Sequence, residues 1–199
     1  MANVDSPFGL RPLRYLNGAP WNGAATKYHV DAAYGTALFI GDPVDITGTT
    51  DATGFFQNVG KATLADTNQT LGPIVAIEPD PSKSLERVYL PATTGGYVWV
   101  ADDPNLIFEI QVDSDGTIAI ADFGLNAIMV ETHTGNTITG ISGIELDESS
   151  CSANSSFMLQ TMKLVNRPDN SLAQHAKVEV LISVHRYGFC GSDYGRLGA

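Results

Sequence analysis

The chain is poor in most of the residues that mark chemistry. It has two cysteines in 199 residues, Cys151 and Cys190. Two are too few for a disulfide framework, and their separation rules out a CxxC redox or zinc motif, so free thiols and maturation in a reducing cytoplasm are expected. The four histidines, His29, His133, His175 and His185, show no HxH or HxxxH spacing. A zinc site built from them would need convergence of distant segments, and no metal or other cofactor is expected. Glycine-rich phosphate loops (GxGxxG or a P-loop) are absent, which leaves nucleotide binding without support. GxSxG is absent too; Ser142 in Gly140-Ile141-Ser142-Gly143 stands one residue short of that frame. The expectation is a protein that is not an enzyme. No run approaches the roughly 18 apolar residues of a membrane span, and MANVDSPFGLRP lacks the basic and apolar regions of a signal peptide.

Basic charge is also scarce, with 11 Lys and Arg against 22 Asp and Glu and a net charge of −11. The imbalance is local. Residues 31–163 carry four basic side chains against eighteen acidic ones, whereas residues 1–30 carry three against one and residues 164–199 four against three. Such an acidic body repels nucleic acid, and no nucleic-acid or membrane partner is expected. The mildly basic ends suit docking on an acidic surface.

What is present is β patterning. Twenty glycines and ten prolines punctuate short apolar runs, which predicts a mainly β protein with a barrel-like body. The clearest stretch is residues 95–115, GGYVWVADDPNLIFEIQVDSD. It reads as a β-hairpin: a run over residues 97–100, a turn at Asp102-Asp103-Pro104-Asn105, and a returning strand over residues 106–112. In that second run Leu106, Phe108, Ile110 and Val112 share one face and Ile107, Glu109 and Gln111 the other, the pattern of a half-buried strand. Further strands are expected over residues 27–30, 37–40, 44–46, 72–77, 87–90, 117–120, 127–131, 157–165 and 177–184, with a weaker one near Val59. Residues 122–126 suit a short helical turn capped by Asp122. Asp113-Ser114-Asp115-Gly116 opens like a calcium loop but has Gly124 where the twelfth-position glutamate belongs, and reads better as a turn.

Residues 1–26 form a third class of sequence. NVDSPFGLRPLRYLNGAPWNGAAT interleaves Pro7, Pro12 and Pro20 with Phe8, Leu10, Leu13, Tyr15, Leu16 and Trp21. Proline at this density prevents a regular helix and interrupts strand pairing, yet the segment is too apolar for a free tail. It therefore packs against something: its own core, as a strap, or a neighbouring subunit, as an arm. The chain divides on this reading into an extended arm (1–26), a β-rich body (27–185) and a C-terminal tail (186–199).

Several stretches resemble a family of tailed-bacteriophage virion proteins. They are Asn3-Val4-Asp5-Ser6-Pro7-Phe8-Gly9-Leu10-Arg11-Pro12 with Leu16-Asn17-Gly18-Ala19-Pro20-Trp21-Asn22-Gly23, then Ile40-Gly41-Asp42-Pro43-Val44, Asp122-Phe123-Gly124-Leu125-Asn126, Ser142-Gly143-Ile144-Glu145-Leu146-Asp147 and residues 164–170. The resemblance implies a capsid decoration, or cement, protein that binds the major capsid protein on the outside of the shell. It further implies a homotrimer and a barrel or β-tulip body, made in the host bacterial cytoplasm. On this reading Pro7, Phe8, Leu10, Tyr15 and Trp21 bury apolar surface on the capsid, and Arg11 and Arg14 pair with its carboxylates. Two alternatives stay open: a tail or fibre subunit, and a carbohydrate-binding β module with Tyr97, Trp99 and Phe108 as its platform.

Overall fold

The structure is a computed structural model describing residues 3–65, 68–80 and 87–188. It is mainly β, as the composition predicts. The strands are β1 (Arg11–Tyr15), β2 (Thr26–Val30), β3 (Pro43–Thr50), β4 (Gln57–Lys61), β5 (Gly72–Ile77), β6 (Gly96–Val100), β7 (Leu106–Gln111), β8 (Asn126–Ala127), β9 (Met129–Glu131), β10 (Ile144–Leu146), β11 (Leu159–Leu164) and β12 (Lys177–Ile182). Single helical turns occur at Ile120–Asp122 and Glu148–Ser150.

These strands build two cores. One lies inside a closed barrel of order β2-β4-β3-β5-β6, filled by Tyr28, Val44, Val59, Leu71, Ile74 and Val98 among others. Closure removes the sheet's edges, and inward side chains fill a barrel this small. The second lies under a five-stranded antiparallel sheet of order β1-β7-β12-β11-β8. Leu106, Phe108 and Ile110 of β7 meet Val178, Val180 and Ile182 of β12 there, and the β9-β10 ribbon adds Met129, Ile144 and Leu146.

The expected hairpin of residues 95–115 does not form. Strand β6 pairs with β2 and β5 in the barrel, whereas β7 pairs with β1 and β12 in the other sheet. The Asp-Asp-Pro-Asn turn links the two bodies. Asp103 Oδ1 accepts the Asn105 N–H at 2.8 Å, but Asp102 turns back to accept from the Tyr28 hydroxyl at 2.8 Å. Nor is β7 half-buried: all six residues are buried. Its polar face is closed by partners, with Glu109 paired to Arg167 and Gln111 bonded beneath the N-terminal segment.

The N-terminal segment is a second correction. It does not reach away from the body as an arm. Strand β1 adds to the edge of the five-stranded sheet, with Arg11 opposite Glu109 and Tyr15 opposite Leu106. The chain then folds back, the Tyr15 N–H donating to Ala19 O at 2.8 Å and the Trp21 N–H to Leu13 O at 3.3 Å. Proline density does not prevent this, because an edge strand needs ladder bonds on one side only.

Smaller differences have similar causes. Residues 37–40 and 87–90 make only isolated bridges, Leu38 to Leu90 and Ile40 to Ile141. Residues 117–119 are irregular, and the short helical turn falls at Ile120–Asp122, where Asp122 Oδ2 accepts the Ala119 N–H at 2.7 Å. Of the proposed C-terminal tail, residues 189–199 with Cys190 lie outside the described residues. Arg186 and Tyr187 are fastened to the barrel through Asp45 and Gln57.

Candidate functional site: an apolar groove beside a glycine crossing

Three of the stretches that carry the family resemblance meet at one point. The N-terminal strap crosses the barrel where Gly9 (φ +69°) faces Gly41 (φ +95°). A Cβ on Gly9 would lie 2.2 Å from Gly41 O, and one on Gly41 would lie 2.1 Å from Phe8 O. Only glycine permits both the backbone conformation and the approach. The Leu10 N–H donates to Gly41 O at 2.9 Å and the Gly9 N–H to Ile144 O at 3.2 Å. Below the crossing, Ser142 Oγ donates to Asp42 Oδ1 at 2.6 Å and accepts the Ile144 N–H at 3.2 Å, while Asp42 Oδ2 accepts the Phe39 N–H at 3.0 Å. Burial pushes the Asp42 carboxyl above its usual range, against the opposing pull of Lys61 and the Ser142 hydroxyl. The spacing of Phe-Gly-Leu, Ile-Gly-Asp-Pro and Ser-Gly-Ile is thus explained by packing.

Beside this crossing opens an apolar groove of about 200 Å³, lined by Phe8, Pro12, Trp21, Ile40, Val75 and Ile141, with Arg11 at its edge. Arg11 is exposed and its guanidinium lies 4.3 Å from the Phe8 ring centroid. Ile40 and Ile141 remain 37% and 36% exposed although they bridge one another, so the groove presents apolar surface on an ordered backbone. Next to it, the side chain of Asn136 accepts the N–H groups of Ile138 and Thr139, at 2.8 and 3.1 Å, and so holds the turn carrying Ile138, which is 86% exposed.

Of the seven residues predicted to contact a capsid, four come together here. Phe8, Leu10, Arg11 and Trp21 all border the groove, but Leu10 and Phe8, 1% and 9% exposed, are buried in the chain's own fold. Pro7 is half-buried in the same strap. Arg14 is already paired with Glu179 at 2.7 Å. Tyr15 lies apart, in a depression with Leu16 and Asn105. Ile40, Val75 and Ile141 were not singled out by the sequence, since each looks like an ordinary strand apolar residue. In the sugar-platform alternative, Phe108 is fully buried and unable to meet a ligand.

Comparison of the chain with protein-family models, with curated proteins and with solved structures returns no match.

Proposed function

We propose that the chain is a structural protein of a tailed-bacteriophage virion, which coats the outside of the capsid as a trimer by binding the major capsid protein. The groove carries this reading. It is apolar, pre-formed, bordered by one guanidinium, and set where the family-like stretches converge. A segment of a capsid subunit offering an apolar side chain next to a carboxylate fits it. Each large side chain buried there contributes about 1.5–3 kcal/mol before ordering costs. A groove already fixed by hydrogen bonds lowers those costs, because little of this chain must order on docking. Repetition over a shell multiplies a modest gain at each site.

Binding to purified shells of the encoding phage tests the proposal. Ile141→Asp and Ile40→Asp place a carboxylate in the groove without touching either core. Each is expected to lower shell occupancy at least about tenfold in co-sedimentation, with the circular dichroism spectrum unchanged. Full occupancy by both folded variants would overturn the groove as the contact.

A further inference from the structure

A second constellation lies at the other end of the N-terminal strap, and it gathers groups that the sequence scatters. Asn3 Nδ2 donates to Ser171 O at 3.0 Å and Gln174 O at 2.8 Å, and Lys177 Nζ donates to Val4 O at 2.7 Å, which places Asp5 over the segment leading into β12. There Asp5, Glu145 of β10 and His175 bring one ligand atom each to within 4.8 Å of one another. His133, just after β9, stands beside the group: its Nδ1, which shares a hydrogen bond with the Thr132 hydroxyl at 3.0 Å, is 3.5 Å from Glu145 Oε2, and its Nε2 is 3.8 Å from Asp5 Oδ2.

Two independent observations point to a cation. Glu145 is 1% exposed, yet among the described residues neither lysine nor arginine pairs with its carboxylate; its partners are Gln111, Thr132 and His133. Glu109 and Glu179 are similarly buried and have Arg167, and Arg14 with Lys163, respectively. A buried carboxylate without such a partner is costly unless a proton or a metal ion neutralises it. The second observation is His175 Nδ1. It is closed off from solvent and makes no hydrogen bond. It faces Asp5 Oδ1 at 3.5 Å, longer than an ordinary N–H···O bond but near the roughly 3.3–3.4 Å edge of a tetrahedron built on metal–ligand bonds of about 2.0–2.1 Å.

We propose that Asp5, Glu145 and His175 bind a zinc-class divalent cation through one ligand atom each. Imidazole nitrogen mixed with carboxylate oxygen selects zinc and its neighbours over calcium or magnesium, which favour all-oxygen sites. Gln111 is the outer support: its Nε2 donates to Asp5 Oδ1 at 2.8 Å and to Glu145 Oε1 at 2.6 Å, holding both carboxylates toward one point. The ligands come from the strap, the β9-β10 ribbon and the segment before β12, so the ion fastens the strap's outer end to the body. The glycine crossing fastens its inner end.

The test uses metal-stripped full-length protein, titrated with zinc and followed by calorimetry and thermal unfolding. One zinc per chain is expected, with a dissociation constant at or below about 10 μM. At a hundredfold excess over that constant Tm should rise by roughly 5–10 °C, whereas calcium and magnesium leave it unchanged. His175→Ala and Asp5→Asn should each weaken zinc binding at least about tenfold, and Gln111→Met by roughly 10–100-fold. Both His175 and Asp5 lie outside the two cores, so loss of folding does not confound these variants; circular dichroism of the metal-free proteins checks it. No zinc binding at about 1 mM, or binding that His175→Ala and Asp5→Asn leave intact, would overturn the site.

Discussion

Single residues in this protein carry conformational and electrostatic constraints that separate cleanly by environment. Gly41 and Gly18 both have left-handed backbones, φ +95° and +90°, but a Cβ on Gly41 would meet Phe8 O at 2.1 Å while one on Gly18 would meet nothing within 4 Å. Gly41→Ala should therefore cost more than about 2 kcal/mol, and Gly18→Ala only about 1 kcal/mol, read as midpoint shifts in urea unfolding. Asp113 is a different constraint. It is 2% exposed, and burial, aided by Asp147 and Asp115, pushes its carboxyl up to about 6. A carboxyl raised in the folded state destabilises the fold when ionised. That penalty is full above about pH 6, shrinks as pH falls, and is gone below the unfolded-state value of 3.8. Asp113→Asn keeps an acceptor for the Glu148 N–H and carries no charge. It should stabilise the protein by about 1–3 kcal/mol at pH 8 and by nothing at pH 3.5, measured by denaturant unfolding at both. Equal effects at the two pH values would contradict the assignment. The same neighbourhood holds Cys151, a free thiol pushed up to about 12 by burial and surrounding carboxylates, which makes it a poor nucleophile.

At the level of strands, legibility followed locality. The strands expected over residues 72–77 and 177–184 form as β5 (Gly72–Ile77) and β12 (Lys177–Ile182), because continuous β-branched runs between turn residues are a local signal. Pairing is not local, and there the reading failed. The two runs around Asp102-Asp103-Pro104-Asn105 have hairpin spacing, yet Val100 faces the barrel core and Ala101 and Leu106 the other, so the chain crosses instead of returning. Both β7 faces are buried for reasons residing in Arg167 and Asp5, far away in sequence. The N-terminal segment was legible as something that must pack, but not as an edge strand of its own sheet. For the groove, Phe8 and Trp21 were visible as misplaced apolar groups, whereas Ile40 and Ile141 acquire meaning only through their bridge. The Asp5–Glu145–His175 cluster was illegible, since Asp5 and His175 stand 170 positions apart in the chain. Because Leu10 is core and β1 covers β7, removing residues 1–22 should destabilise the body itself. Thermal unfolding of that truncation should show Tm lowered by well over about 5 °C. An unchanged Tm would mean that the strap is ornamental.

For the whole molecule, two β cores are joined by a strap, and a partly exposed apolar groove sits where the strap crosses. In the proposed coat role, a subunit whose groove is already held in place by backbone hydrogen bonds docks without first ordering itself. Charge is divided along the chain, with a strongly acidic middle and a mildly basic N-terminal region that borders the groove through Arg11. Electron cryomicroscopy of particles with and without the protein tests this most directly. The expected result is density for the chain on the outer shell at many copies, with a capsid segment seated between Trp21 and Ile141. Density on the tail, or a groove left open to solvent on a decorated shell, would contradict it.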